Sequence, residues 1–378
     1  MLPFGRMFGY GNIIPTERNI KKVQYGQTHY VILDTLGDLW GSGTNTYYQL
    51  GISDKVTEYN GTSIKIQSNV TDVWASNNST LIKKNDGSFW YCGLGGINNT
   101  QMPWTKLSAE FGSVLPSDIK NVFAHFQMYH FGTTDGSLYA IGANGNVNSG
   151  VAGGAGLSVL TLVPGVQNVK EIVYTTAAGT VLALTDSNAM YVWGRNANGE
   201  LGLGNANAVP TPILSKTDVQ MIGAGYSTTM CCQSNIIRTA GNQRGGQLGD
   251  GVINPSHVNK MSYNSVSYSG STSKFITLQR GQGTFNMAFI SSSGMYSTGM
   301  NTFQFGSGTT SDVGVFTKAP LDIDFNSVIG SSSTLDASCI YTKDALYQSG
   351  NGKFILGDGS STNTLLYKKV QLPWENGG

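Results

Sequence analysis

The chain is sparing with the residues that do covalent or metal chemistry, holding four histidines and four cysteines in 378 residues. His125 and His130 form its one close histidine pair. Imidazole can ligate a metal or act as a general base near neutral pH. Five residues apart on a strand, the two rings face opposite sides, so shared ligation needs a break in the strand. His257 follows Pro255 in a loop segment. Cys231 and Cys232 are adjacent, so a strand turns their thiols to opposite faces, while Cys92 and Cys339 stand far away in sequence. Buried free thiols are the expected state of all four. No HxH, HExxH, CxxC or GxSxG pattern occurs, and no Gly-Lys-Ser/Thr phosphate loop. Asp218, Asp250, Asp312 and Asp358 fall in loops and strand ends, where turn formation accounts for them. The sequence therefore assigns no catalytic residue, no metal ligand and no cofactor, and a non-enzymatic protein is expected.

The elements that would position any site are more legible. A glycine stamp, an aromatic or aliphatic strand ending in Gly and often followed by Asn, recurs at Gly43, Gly93, Gly142, Gly194, Gly241, Gly299 and Gly350. A shorter copy opens the chain at Gly11. Repeats of about fifty residues signal an array or a propeller. Between stamps lies a strand pair around a small-residue turn, as in IKKVQYGQTHYVILDT (20–35) and VKEIVYTTAAGTVLALTD (169–186). Turns such as Asp86-Gly87-Ser88 and Asp135-Gly136-Ser137 supply the positive φ of tight hairpins. Seven such units predict an all-β, seven-bladed propeller of four-stranded antiparallel blades, a single domain over residues 1–378. The incomplete head (Met7–Asn12) and the tail (Leu365–Val370) predict closure by N- and C-terminal segments sharing one blade, which removes open sheet edges. A short helix is expected within 104–118, where Lys106, Leu107, Ala109 and Glu110 are helix formers. The anchor glycines are expected where a Cβ would meet a neighbouring strand.

Composition narrows the function. Charged residues make up 12% of the chain and the net charge is +1. Nucleic-acid binding driven by counterion release is excluded as a main role. No stretch approaches the roughly 18 apolar residues of a membrane span, so membrane insertion is not expected. The N-terminal segment lacks a long apolar core, so no secretory signal is expected. Polarity comes from Asn, Ser, Thr and Gln rather than from ion pairs.

The segments MYVWGRNANGELGLGNANAVPTP (190–212), LWGSGTNTYYQLG (39–51) and TAGNQRGGQLGDG (239–251) resemble repeats of the regulator of chromosome condensation family. The resemblance spans essentially the whole chain and implies a seven-bladed propeller. It is degenerate around residues 93, 142 and 299. Trp-Asp repeats are absent, and the double glycines do not recur in the register of kelch repeats. The family's Gly-x-x-His survives once, at Gly26–His29, and His29 is expected to hydrogen-bond structurally. In the matching unit GAGYST the position is Thr228.

The family implies three uses: nucleotide exchange on a small GTPase with chromatin binding, ultraviolet photoreception, and rigid recognition of a protein by loop aromatics. Before Glu17 and Arg18 the N-terminus holds Arg6 as its only basic side chain, which disfavours chromatin. The six tryptophans are scattered over different units, which disfavours photoreception. Tyr47 and Tyr48, Phe303 and Phe354 replace small residues of the family turn, and the insertion 94–118 carries Trp104 and Phe111. These six are the expected partner-binding residues, since aromatic side chains on loops of a rigid scaffold make interface anchors. Packing on the neighbouring blade is the other role open to Tyr47, Tyr48 and Trp104. The low-charge surface and degenerate repeats point to a bacteriophage virion protein of the tail or capsid surface, structural or host-recognising. Its partners would be other virion proteins or a host surface receptor. The alternative is a cytoplasmic, guanine-nucleotide-exchange-type regulator of a small GTPase.

Overall fold

A computed structural model describes residues 17–53, 58–125, 128–143, 147–175, 179–253, 259–270, 276–277, 286–300, 306–333, 337–350 and 362–376. Seven four-stranded antiparallel sheets follow one another along the chain, at 20–67, 70–106, 119–162, 169–216, 219–265, 276–318 and 330–370. We number them blades 1 to 7. Within each, the strands pair in chain order from inner to outer. The seven inner strands touch their neighbours in sequence, and the inner strand of blade 7 (Gly330–Ser333) touches that of blade 1 (Ile20–Tyr25), closing a ring. This is the predicted seven-bladed propeller.

Alternation along the strands builds the core. Successive side chains point to opposite faces of a blade, and both faces are covered. In blade 1, Val31 and Leu33 enter the cluster shared with blade 2, while Tyr30 and Ile32 enter the one shared with blade 7. Seven apolar clusters result, one between each pair of ring neighbours.

The anchor glycines lie at or near the end of the third strand of each blade and pair with the first or second residue of the second strand, as Gly43 does with His29 and Gly93 with Ser79. All seven have positive φ, from 98° at Gly194 to 129° at Gly142. A Cβ on Gly43, Gly93, Gly194 or Gly241 would run into the backbone carbonyl preceding that partner residue. The stamp is therefore enforced twice, by conformation and by close approach.

The shared-blade closure finds no vacant strand position among the described residues, and the helix expectation is corrected. Blade 7 takes its outer strand, Thr364–Val370, from its own repeat, and blade 1 is complete within 20–67, so neither lacks a strand for the other to supply. The half copy at Met7–Asn12 lies outside the described residues. Closure among the described residues is by packing and hydrogen bonds across the seam: Tyr25 N donates to Ser332 Oγ (3.0 Å) and Ile20 N to Lys343 O (2.6 Å). The predicted helix within 104–118 is two short 3-10 turns, Ala109–Phe111 and Pro116–Asp118. Gly112, at φ 57°, ends the first, and Pro116 can only begin the second.

Candidate functional site

His29 and His130 are locked into the interior, and His125 is partly buried with both ring nitrogens enclosed. His29 Nε2 lies 3.1 Å from Thr80 Oγ1, and Gly26 makes room for its ring. Burial holds this imidazole down to about 3. His125 and His130 do not face apart as the strand alternation predicts. Residue 125 ends one strand (Ile119–His125) and residue 130 lies in the next (Met128–Thr133), so both rings meet Tyr174 of blade 4. His125 stacks on it with centroids 3.9 Å apart. His130 Nδ1 is 2.6 Å from the Tyr174 hydroxyl, and its Nε2 is 3.0 Å from the Ser149 carbonyl. Burial keeps His125 at about 3 and His130 at about 4. Both are neutral near pH 7, with no third metal-ligating side chain beside them among the described residues. All four cysteines are buried and free, and burial raises each thiol. A thiol kept protonated is a poor nucleophile.

What the fold offers to solvent is a set of framed loops between third and outer strands. In blade 1, Asn45 Oδ1 accepts from Leu50 N (3.0 Å) and its Nδ2 donates to Ile52 O (3.0 Å). In blade 4, Asn196 Oδ1 accepts from Leu201 N (2.8 Å) and its Nδ2 donates to the carbonyls of Asn205 (2.8 Å) and Asn207 (3.1 Å). The Asn of the stamp thus ties the loop's entry to its exit. Leu50, Leu201 and Leu248 plug these loops into inter-blade clusters or the buried core. The next blade adds a further tie: Thr80 Oγ1 donates to Gln49 O (2.7 Å) and Thr229 Oγ1 to Glu200 O (2.5 Å).

A second recurring contact is not legible in the sequence. The glycine after each plug turns at positive φ directly over an aromatic ring on the outer strand of the following blade. Gly51 sits over Trp104, Gly202 over Tyr263, and Gly249 over Phe316, and in each case a Cβ would overlap the ring. The Leu-Gly pairs themselves read as packing residue and turn. Their aromatic partners lie roughly 50 to 70 residues downstream, and only the three-dimensional register brings them together.

This clasp relocates one of the six expected partner-binding residues, and core packing claims a second. Trp104 is on a strand (Asn98–Lys106), half-buried in the cluster between blades 1 and 2, with Nε1 enclosed and unpaired among the described residues. Phe111 is 3% exposed and wedged between Phe89 and Phe131, with ring centroids 5.4 and 6.1 Å away. No face of it remains for a partner. Phe303 and Phe354 lie outside the described residues. Tyr47 and Tyr48 occupy the blade 1 loop and are half-buried. Tyr47 N donates to Gln49 Oε1 (2.8 Å), and Tyr48 takes φ 64°.

Ion pairs gather mainly at one end of the ring. The end where inner strands begin carries the pairs Arg18–Asp38 (3.2 Å), Lys65–Asp38 (2.8 Å), Lys22–Asp72 (2.8 Å) and Lys120–Asp186 (3.6 Å). The framed loops cluster at the other end, which holds the longer pair Lys260–Asp250 (4.0 Å) and where segments 152–156 and 204–208 are without charge and exposed.

Comparison with known proteins follows this architecture. Residues 187–232 match the family model for the regulator of chromosome condensation (RCC1) repeat, which runs from the third strand of blade 4 to the second strand of blade 5. Human Protein RCC2 is 33% identical over 125 residues, 31% of this chain and 23% of that protein. The human E3 ubiquitin-protein ligase HERC2 is 30% identical over 124 residues, again 31% of this chain but 3% of that protein. The chain thus aligns with under a quarter of the length of these relatives. Among solved structures, human WBSCR16 superposes with a TM-score of 0.68 at 15% identity, covering 86% of this chain and 87% of that one. Prp20p of Saccharomyces cerevisiae, described with its binding to Gsp1p and histones, gives 0.66 at 17% identity, covering 90% and 84%. Stamp, framed loops, ring and comparisons agree: the chain is an RCC1-like repeat protein folded as a seven-bladed β-propeller.

Proposed function

We propose that this propeller works by recognising a protein and catalyses no covalent reaction of its own, and that its partner is a small GTPase whose nucleotide release it promotes. The observation that carries the reading is the pairing of sealed reactive side chains with rigid framed loops. The described imidazoles and thiols are buried in their neutral forms, while one end of the ring presents loops tied at both sides by Asn45, Asn196 and their equivalents. Loops held this way bind with little ordering cost. Similarity in fold to Prp20p, for which binding to Gsp1p and histones is described, supports a protein partner and favours a GTPase. The low basic content disfavours direct nucleic-acid binding. Tyr47 and Tyr48 are the aromatic anchors we assign to the docking loop. No helix among the described residues is long and apolar enough to cross a membrane.

The test is release of labelled GDP from a panel of purified small GTPases, with and without the protein. Acceleration that falls with Tyr47→Ala is the expected result. The virion reading rests on the low-charge surface and the degenerate repeats, and its test is co-sedimentation of the chain with particles from its source. Particle association without any effect on nucleotide release would replace the GTPase reading.

A further inference from the structure

Counting back three residues from each anchor glycine reaches the same place in every blade, near the start of the third strand. That place holds Trp40, Trp90, Tyr139, Tyr191, Tyr296 and Tyr347 in six blades and Arg238 in blade 5. Arg238 pairs with Cys231 on one side and Ser265 on the other, and Cys231 belongs to the cluster between blades 4 and 5. The arginine therefore faces blade 4. Its Nη1 donates to Ser265 Oγ (2.9 Å), and its Nε is enclosed without a partner. Lys216, the last residue of the blade 4 outer strand, reaches the same groove, with Nζ 5.1 Å from the centre of the Tyr263 ring of blade 5. Both cations lie within electrostatic reach of the Cys231 thiol.

Blade 1 shows what such donors hold. There Arg18 Nη2 (3.2 Å), Lys65 Nζ (2.8 Å) and Ser68 Oγ (3.0 Å) converge on the Asp38 carboxylate, and Asp34 backs the same arginine (3.5 Å). Blade 5 brings the same three donor types together as Arg238, Lys216 and Ser265. Its repeat, however, has Ile236 where blade 1 has Asp38, and Gln233 where blade 1 has Asp34. Asp218, exposed in the turn between blades 4 and 5, forms no ion pair with either cation, and neither does any other carboxylate among the described residues. Lys216 and Arg238 are half-buried and Ser265 is exposed, so the groove is open to solvent. Neighbouring cations repel, and an anion between them relieves that cost. Ser265 accepts from the guanidinium, so its own hydroxyl proton is free to donate.

We propose that the groove between blades 4 and 5, lined by Lys216, Arg238 and Ser265, binds an oxyanion supplied from outside the chain, a carboxylate or phosphate group in the role that Asp38 plays in blade 1. The guanidinium and the ammonium give it charge-assisted hydrogen bonds, and the serine hydroxyl gives a further donor. Tyr263, seated on Gly202 and with its hydroxyl 3.0 Å from Thr229 Oγ1, forms the floor beneath the ammonium. Arg238 and Lys216 sit at the strand ends opposite the framed loops, so the site is independent of any GTPase bound there. The group arrives either as a free small anion or on a side chain of a bound protein.

An enclosed Nε–H exchanges slowly with water and gives its own NMR signal, assigned by its loss in Arg238→Tyr, which installs the residue of four other blades. The full chain is titrated near pH 7 with inorganic phosphate, with blocked phosphoserine, with blocked aspartate, and with chloride at matched ionic strength. The expected result is a saturable shift of this signal with at least one of the first three and none with chloride. Lys216→Gln should weaken that binding about tenfold or more. Ser265→Ala, at an exposed position, serves for the same comparison if the lysine variant fails to fold. Tighter binding of a blocked amino acid than of inorganic phosphate supports the site with a protein side chain as occupant, and the reverse order supports it with a free anion. A shift that saturates with none of the three oxyanions, or that chloride reproduces, overturns the proposal, as does undiminished affinity in a folded Lys216→Gln protein.

Discussion

Gly51 turns at φ 69° directly above the indole of Trp104, which belongs to the next blade. The contact joins the exit of one framed loop to the outer strand of its neighbour, and it recurs at Gly202 with Tyr263 and Gly249 with Phe316. It binds blades 1, 4 and 5 each to the next near the rim, away from the inner strands. Gly51→Ala should therefore cost about 2–4 kcal/mol, combining left-handed strain with overlap on the ring. Trp104→Ala should cost about 2–3 kcal/mol through lost packing. The double variant should fall short of the sum by about 1 kcal/mol or more, because truncating the indole opens the space the new methyl needs. Urea unfolding of the four proteins measures this, and strict additivity would show that the two residues do not clasp.

Tyr48 separates binding from stability. At φ 64° a tyrosine is strained, and glycine would occupy the same conformation freely. Tyr48→Gly should leave stability unchanged or raise it by up to about 1 kcal/mol. If the loop is the docking element, the same variant weakens partner binding or slows nucleotide release. A variant that loses stability by several kcal/mol would show that the phenol ring is a packing element.

Acid should unfold the protein through its histidines. Burial depresses His29 and His125 to about 3 and His130 to about 4, against about 6.5 in an unfolded chain. Between pH 6.5 and 4 the unfolded state binds more protons than the folded one, so stability falls as pH falls through that window. It is fully present above 6.5. His29→Thr places at this position the residue that Thr228 supplies opposite Gly241 in blade 5. It should flatten the pH dependence by about one proton, measured from urea midpoints at steps between pH 7 and 4.

Glu171 works in the opposite sense. It lies on the inner strand of blade 4 (Val169–Tyr174), and burial lifts its carboxyl to about 7, with Lys170 pulling weakly the other way. A raised carboxyl keeps its proton in the folded state while the unfolded state loses it above about 4.5, so stability contributed by the neutral form declines as pH rises from 4.5 to 7. Glu171→Gln should gain about 1 kcal/mol at pH 7.5 and nothing at pH 4.5, the half-buried position discounting the full shift. Equal effects at both pH values would remove the protonation account.

The ring is legible in the sequence because glycine reports backbone geometry directly. A φ near 100° at seven evenly spaced positions leaves few other residues possible, so the stamp survives where every other motif decays. Blade count and strand order follow from it, while the structural role of His29 is read from the family's Gly-x-x-His at Gly26–His29. The six aromatic candidates are harder, because an aromatic residue reads the same whether it anchors a partner or fills a gap. Trp104 reads as a loop residue since Pro103 and the glycines around 93–96 mask its strand, and its true neighbour, Gly51, lies 53 positions earlier. Phe111 sits in a segment without period, yet its ring completes the Phe89–Phe131 cluster. The histidine pair misleads for a related reason: alternation applies within a strand, and residues 126–127 separate two strands rather than continue one.

The seam between blades 7 and 1 should be the first to open. Ring neighbours elsewhere are consecutive in the chain, so their ends are held together at little entropic cost. Blades 7 and 1 are joined through packing and hydrogen bonds between residues more than three hundred positions apart, and loop-closure entropy grows with that separation. Cysteine chemistry does not lock this seam, since Cys339 is a free thiol within it. A tryptophan strap holds part of it instead. After the last strand the chain passes back onto blade 1, where Trp374 packs against Trp40 with centroids 6.2 Å apart and the Arg18 guanidinium lies 5.5 Å from the Trp40 ring. Glu375 Oε2 accepts from Leu372 N (2.9 Å) and folds the strap into its turn. Trp374→Ala should cost about 1–3 kcal/mol. Its signature would be regional: amide exchange should quicken first in Ile20–Tyr25 and Ala337–Tyr341, while the strands of blades 3 to 5 keep their protection. Uniform acceleration around the whole ring would mean that the seam opens only with global unfolding and that the strap adds stability without closing the circle.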